Sequence, residues 1–152
     1  MWKHLNDQFE ELFCAGHYEA ALEKAECALR YALDEFEVLD PHTATSMNNL
    51  AVVLRMLDQL DAAEQLVRKA LQINVELYGM EHAETGNCLN NLAIIHSDRG
   101  DFEVAESLYR WAIEIREQAL GKDHPGLEVN YANIEKMQEA RREVSKLCGC
   151  SL

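Results

Sequence analysis

The residues in this chain with the most chemical potential are six histidines and five cysteines. A metal site of Cys and His needs its ligands at short, regular spacings that gather four donors. His4, His17, His42 and His96 show no such spacing. His82 and His124 stand 42 residues apart in matching surroundings, which marks them as parts of a repeated unit and not as one ligand set. Cys148-Gly149-Cys150 is a CxC pair suited to a soft metal or to oxidation, but it has no second pair and falls on an end expected to be frayed. Cys14, Cys27 and Cys88 complete an odd count, and the expectation is reduced thiols in a cytoplasmic protein. The sequence carries no phosphate-cradling glycine loop, no nucleophile elbow and no HExxH. Acidic pairs such as Glu10-Glu11 and Asp34-Glu35 are ordinary on solvated helix faces. The expectation is a non-enzyme with no cofactor and no metal.

What remains is amide chemistry, and it repeats. Asn48-Asn49-Leu50-Ala51 returns as Asn90-Asn91-Leu92-Ala93, and Asn133-Ile134 lies below Asn91-Leu92 at the same interval of 42. The elements that hold these residues repeat with them. Ala63-Glu64 returns as Ala105-Glu106, Arg68 as Arg110, Ala70 as Ala112, Ile73 as Ile115 and Gly79 as Gly121. Tyr18-Glu19-Ala20-Ala21 precedes Leu60-Asp61-Ala62-Ala63 by the same 42. The chain therefore divides into units at about 1–39, 40–81 and 82–123, with a partial unit over 124–147 and a tail at 148–152.

Each unit reads as two helices. Met47, Leu50, Ala51, Leu54 and Leu57 trace one amphipathic stripe. After a polar break at Asp58-Gln59, Ala63, Leu66, Val67, Ala70, Leu71 and Leu77 trace another. Ala15-Gly16 and Arg99-Gly100 are the equivalent breaks. Asp61 and Asp101 are expected to cap second helices. Gly79 and Gly121 are expected to stop them as left-handed residues. Pro41 and Pro125 belong in the first turn of the next helix. Alanines at 21, 51, 63, 93 and 105 allow close helix approach, and stacking of units buries what one pair cannot. The last unit lacks the break, because Glu139-Ala140-Arg141-Arg142-Glu143 runs on. One long terminal helix to about Leu147 is expected there.

Composition narrows the partners. At 152 residues and 48% hydrophobic, this is one folded domain's worth of chain. Its 14 basic and 27 acidic residues leave a charge of -13, which repels phosphate backbones and anionic lipid, so neither nucleic acid nor membrane is expected as a partner. No apolar run approaches the ~20 residues that cross a bilayer. The start, Met1 to Asp7, lacks the apolar stretch of a signal peptide, so a cytoplasmic location is expected. The charge is uneven: residues 1–40 hold ten acids and three bases, whereas residues 125–152 balance at four and four, with Lys136, Arg141, Arg142 and Lys146 making the far end locally basic.

These positions resemble the tetratricopeptide repeat. Its pattern reads here as Met47, Leu50-Ala51 and Leu54 on the first helix, then Ala63, Val67 and Ala70 on the second. In the next unit it reads Leu89, Leu92-Ala93 and His96, then Ala105, Tyr109 and Ala112. The 42-residue period, the Asn-Asn-Leu-Ala signature and the loops Gly79-Met80-Glu81-His82 and Gly121-Lys122-Asp123-His124-Pro125 are similar to the longer subclass found in kinesin light chains. The first unit departs, with Asn6-Asp7-Gln8-Phe9 in place of the signature, and is expected to be an atypical cap. The resemblance implies an all-α, right-handed solenoid of antiparallel helix pairs: a single domain over 1–152 with three repeats and a long C-terminal capping helix.

The resemblance also implies a concave groove lined by the first helices. Its positions are Asn48, Asn49, Val52 and Arg55, then Asn87, Asn90, Asn91 and Ile94, then Asn133 and Lys136. The ladder Asn49, Asn91, Asn133 suits the backbone of an extended peptide, since an amide both donates and accepts. The same amides would equally serve to bond adjacent helices and hold the repeats in register, and the residues leave both uses open. Some family members clamp a C-terminal carboxylate with Lys, Asn and Arg. Here only Lys3, Arg55 and Lys136 are groove cations, so a peptide with apolar or basic side chains fits better. The function implied is a non-catalytic adaptor that binds an extended peptide of a partner protein. The alternative is a structural module that self-assembles as a homo-oligomer through its solenoid ends, which the acidic first unit and locally basic far end would suit.

Overall fold

The computed structural model describes residues 1–147, and among these the chain is helical with no strand. The helices are α1 (Trp2–Cys14), α2 (Tyr18–Glu35), α3 (Pro41–Met56), α4 (Leu60–Tyr78), α5 (Ala83–Arg99) and α6 (Phe102–Leu120). A 3-10 turn at Pro125–Leu127 leads into α7 (Glu128–Leu147). The long terminal helix expected from the missing break is therefore present. The CxC pair and the tail lie outside the described residues.

The chain forms two compact units, Met1–Gly79 and a second that begins at Met80. In the first, α2 offers Ala21, Ala25, Ala28 and Ala32, all essentially inaccessible and spaced along one stripe. Side chains this small let α2 lie close to both α1 and α3. Larger residues fill the gaps that remain: Phe9 of α1, Met47, Leu50, Val53 and Leu54 of α3, Val67 and Ile73 of α4. In the second unit, Ala93 of α5, Ala105 and Tyr109 of α6 and Met137 of α7 form one buried cluster, flanked by Ile94, Phe102, Leu108 and Ile134.

The loops between units share a capping device. Asp40, His82 and His124 recur at the 42-residue interval, and each is the N-cap of the element that follows. Asp40 Oδ1 accepts from the His42 backbone N–H at 2.7 Å, His82 Nδ1 from that of Glu84 at 3.2 Å and His124 Nδ1 from that of Gly126 at 3.0 Å. The repeated histidines thus serve helix starts, which need an acceptor for their unpaired N–H groups. Pro41 and Pro125 directly follow a cap, where no N–H is needed.

Two cap expectations are corrected. Asp61 lies inside the first turn of α4, whose N-cap is Gln59. Asp101 is the N-cap of α6 but makes no capping bond with its side chain; its Oδ2 lies 3.3 Å from His96 Nδ1. Gly79 and Gly121 do end α4 and α6, with φ of 89° and 90°, but their ψ of 172° and 149° is extended and not left-handed helical. The left-handed position is instead Gly100 after α5, with φ 86° and ψ 9°. Its equivalent after α3 is Asp58, which takes φ 60° without being glycine.

Candidate peptide-binding site

The asparagines of the first helices bond to one another across neighbouring helices. Asn49 of α3 donates through Nδ2 to Asn6 Oδ1 of α1 at 2.8 Å. Asn6 is buried, and its own Nδ2 is held by the Trp2 carbonyl at 3.0 Å. In the second unit, Asn90 Oδ1 accepts from Asn130 Nδ2 at 3.0 Å and from Asn133 Nδ2 at 3.4 Å. The two bridges span the same 43 residues, from a first helix back to the one before it. Asn49 and Asn133 each commit one N–H and are half-buried residues, whereas the third donor, Asn130, is buried.

The expected groove residues therefore separate by burial. Asn48, Asn49, Val52, Arg55, Asn91, Ile94 and Asn133 are half-buried, and Lys136 is exposed. Asn90 is only 8% exposed, and its carbonyl already takes two amides. Asn87 is drawn into another cluster. Its carbonyl accepts from Arg116 of α6, and its Nδ2 donates to Glu84 Oε2 at 3.2 Å.

That cluster was not foreseen from the residue pattern. The aliphatic stem of Arg116 crosses α5 at Gly86, so closely that a Cβ there would lie 2.7 Å from Arg116 Cγ. The guanidinium then reaches forward to donate to the Gly126 carbonyl at 3.0 Å, joining α6 to the turn that starts α7. Burial pushes its pKa below the usual arginine value, and the nearby Glu84 carboxylate partly restores it. The available signal is a glycine in a helix interior where the preceding unit has Ala44, paired with Arg116 where that unit has Asn74.

Other charges hold α7 on α6. Arg141 reaches Glu103 at 3.1 Å and Glu106 at 3.3 Å. The Tyr131 phenol donates to Glu117, which holds the phenol above its ordinary pKa through that bond, with smaller contributions from burial and carboxylate repulsion. Among the described residues, no group of three or more His, Cys, Asp or Glu is placed to hold a metal ion, and no helix is long and apolar enough to cross a membrane. The arrangement offers hydrogen-bonding amides beside aliphatic surface, which suits recognition of a peptide.

Comparison with known proteins agrees with the geometry. A tetratricopeptide repeat family model matches residues 42–118, half of the chain. No curated protein matches. Among solved structures, the chain is similar to BtubC (BKLC) from P. vanneervenii, with TM-score 0.75 and 23% identity over 93% of this chain and 57% of that one. It is also similar to the nearly identical TPR-like repeats of a candidate kinesin light chain from Podosopora anserina, with TM-score 0.78 and 19% identity over 96% and 71%. The Sgt2 TPR domain from Aspergillus fumigatus matches with TM-score 0.64 and 16% identity over 95% and 82%. The chain thus spans little more than half the length of BtubC, and identities this low speak for the fold alone. With the family model covering half of the sequence and the 42-residue units folding as helix pairs, the chain belongs to the tetratricopeptide repeat family.

Proposed function

We propose that this chain is a non-catalytic adaptor that receives an extended peptide segment of a partner protein along its first helices. The observation that carries this reading is the state of the Asn49 and Asn133 amides. Each spends one N–H on a neighbouring first helix, which fixes its rotamer, and each is only half-buried. A side-chain amide has four hydrogen-bonding positions, so one commitment leaves a carbonyl and an N–H for a peptide backbone. Preorganised donors bind at lower entropic cost than free ones. Val52 lies with Asn49 on α3, and Ile94 with the Asn91 amide on α5, and these would take alternate side chains; Asn87 and Asn90 serve as supports.

Lys3, Arg55 and Lys136, the expected groove cations, stand on three different helices, whereas a carboxylate clamp wants convergent donors. A peptide with apolar or basic side chains is favoured over a free carboxylate tail. The test is a peptide-array screen with the protein and with the Asn49→Ala/Asn91→Ala variant. Selected peptides should lose binding in a variant that still shows the helical spectrum and a cooperative transition. Unchanged binding in the folded variant would remove the first helices from the reading.

A further inference from the structure

The α2–α3 loop of the first unit carries an apolar surface that the repeat does not require. Leu33 is 45% exposed, Val38 63% and Leu39 48%. Single exposed aliphatics are ordinary on a protein surface, but three within seven residues, the last two adjacent, concentrate apolar surface at one place in the chain. The sister loops give an internal comparison. At the position of Val38 they carry Met80 and Lys122, and at that of Leu39 they carry Glu81 and Asp123. The scaffold therefore closes this loop equally well with charged residues.

The loop is also rigidly framed. Thr43, itself fully buried, donates through Oγ1 to the Glu37 carbonyl at 3.1 Å. Asp40 Oδ1 accepts from the His42 backbone N–H at 2.7 Å and meets the His42 ring nitrogen at 2.8 Å. The Phe36 ring stacks on His42 with centroids 4.3 Å apart, and Trp2 meets the same imidazole edge-on at 4.5 Å. Trp2 is fixed in turn by its indole N–H on Ser46 Oγ at 2.7 Å. Val38 and Leu39 thus project from a segment pinned on both sides, which lowers the ordering cost of binding.

Charge names the occupant. Residues 33–40 contain Asp34, Glu35, Glu37 and Asp40 and no Lys or Arg, and the first three are exposed. A second copy pairing through this same loop would bring like charges together, within a region where ten acids face three bases. We infer that the α2–α3 loop is a second docking surface, for a cationic amphipathic segment of a partner protein whose aliphatic side chains cover Val38 and Leu39 while its Lys or Arg meet Glu35 and Glu37. This surface is separate from the first-helix site and does not depend on it.

The probe is a synthetic amphipathic helix of leucine and lysine, compared with a counterpart in which glutamate replaces lysine. Both are titrated by fluorescence anisotropy into the protein, into Val38→Ser/Leu39→Ser and into Glu35→Gln/Glu37→Gln. The lysine peptide should bind and the glutamate peptide should not. The serine variant keeps every charge, so its weakening by about tenfold or more reads apolar burial at the loop. The glutamine variant should flatten the dependence on salt. The substituted residues are exposed, and unchanged urea midpoints confirm the fold. Asn49→Ala/Asn91→Ala should bind the probe as the parent does, which separates this surface from the first helices. An unchanged Kd in the serine variant overturns the inference, because binding then reflects only the charge of -13. A parent protein that sediments as a dimer which the serine variant abolishes overturns the stated occupant.

Discussion

Replacing Gly86 by alanine separates two opposite expectations. Judged as a glycine inside helix α5, the substitution should stabilise by ~1 kcal/mol, the ordinary helix-propensity difference. The structure predicts the reverse. The new Cβ would sit 2.7 Å from Arg116 Cγ, 3.3 Å from Arg116 Cδ and 3.3 Å from the Ala112 carbonyl. Cγ is at the root of the side chain, so Arg116 cannot swing clear and keep its head in place. Its bonds to Asn87 and to the Gly126 carbonyl are then lost or bent, at about 1.5–3 kcal/mol for a charged donor. Overpacking adds about 1–3 kcal/mol. Set against the propensity gain, the net is a destabilisation of about 1.5–5 kcal/mol. Urea unfolding measures it as a lower midpoint with an unchanged slope. The same substitution in an Arg116→Ala background should recover the propensity gain, giving a coupling of about 1 kcal/mol or more in the double-mutant cycle. A Gly86→Ala variant as stable as the parent, or more so, would refute the close crossing of α5 by Arg116.

Three further outcomes follow from the loops and from α7. Asp58 holds φ 60° where the equivalent positions are Gly16 and Gly100, so Asp58→Gly should raise the urea midpoint, with a gain of up to ~1 kcal/mol. His124→Ala removes the acceptor for the Gly126 N–H and should cost ~1 kcal/mol, while His124→Asp should restore it; a parent-like alanine variant would deny the cap. The Tyr131 phenol is held above its ordinary pKa by Glu117, so it should be among the last tyrosines to ionise in an ultraviolet titration, and Glu117→Gln should advance it. Because the folded-state pKa is raised, the stability this pair contributes is full below the ordinary tyrosine range and is lost as pH climbs through the raised value.

The period of 42 located every helix, since apolar stripes and polar breaks recur wherever a helix must bury one face and then stop. It also located the ladder of asparagines. It did not distinguish an amide that bridges helices from one that faces outward, because that depends on the partner across the packing. Asn49 bonds Asn6, a residue of the unit that lacks the signature. Asn90 shares the motif of Asn48 yet lies buried beneath α7 amides. Arg116 was illegible for a related reason. Its partners are Gly86, Asn87 and Gly126, on two other elements, and the preceding unit solves the same packing with Ala44 and Asn74. Asp61 misled because an acid near a helix start serves the first turn as readily as the cap.

A peptide-binding role requires the first-helix amides to touch the ligand. The direct measurement is a nuclear magnetic resonance titration of the labelled protein with an array-selected peptide, following the side-chain NH2 signals of asparagine and the methyls of valine and isoleucine. Asn49 and Val52 of α3, or Asn91 and Ile94 of α5, should shift on addition of the peptide and saturate. Shifts confined to the second helices or to the α2–α3 loop, with these four unmoved, would contradict that role.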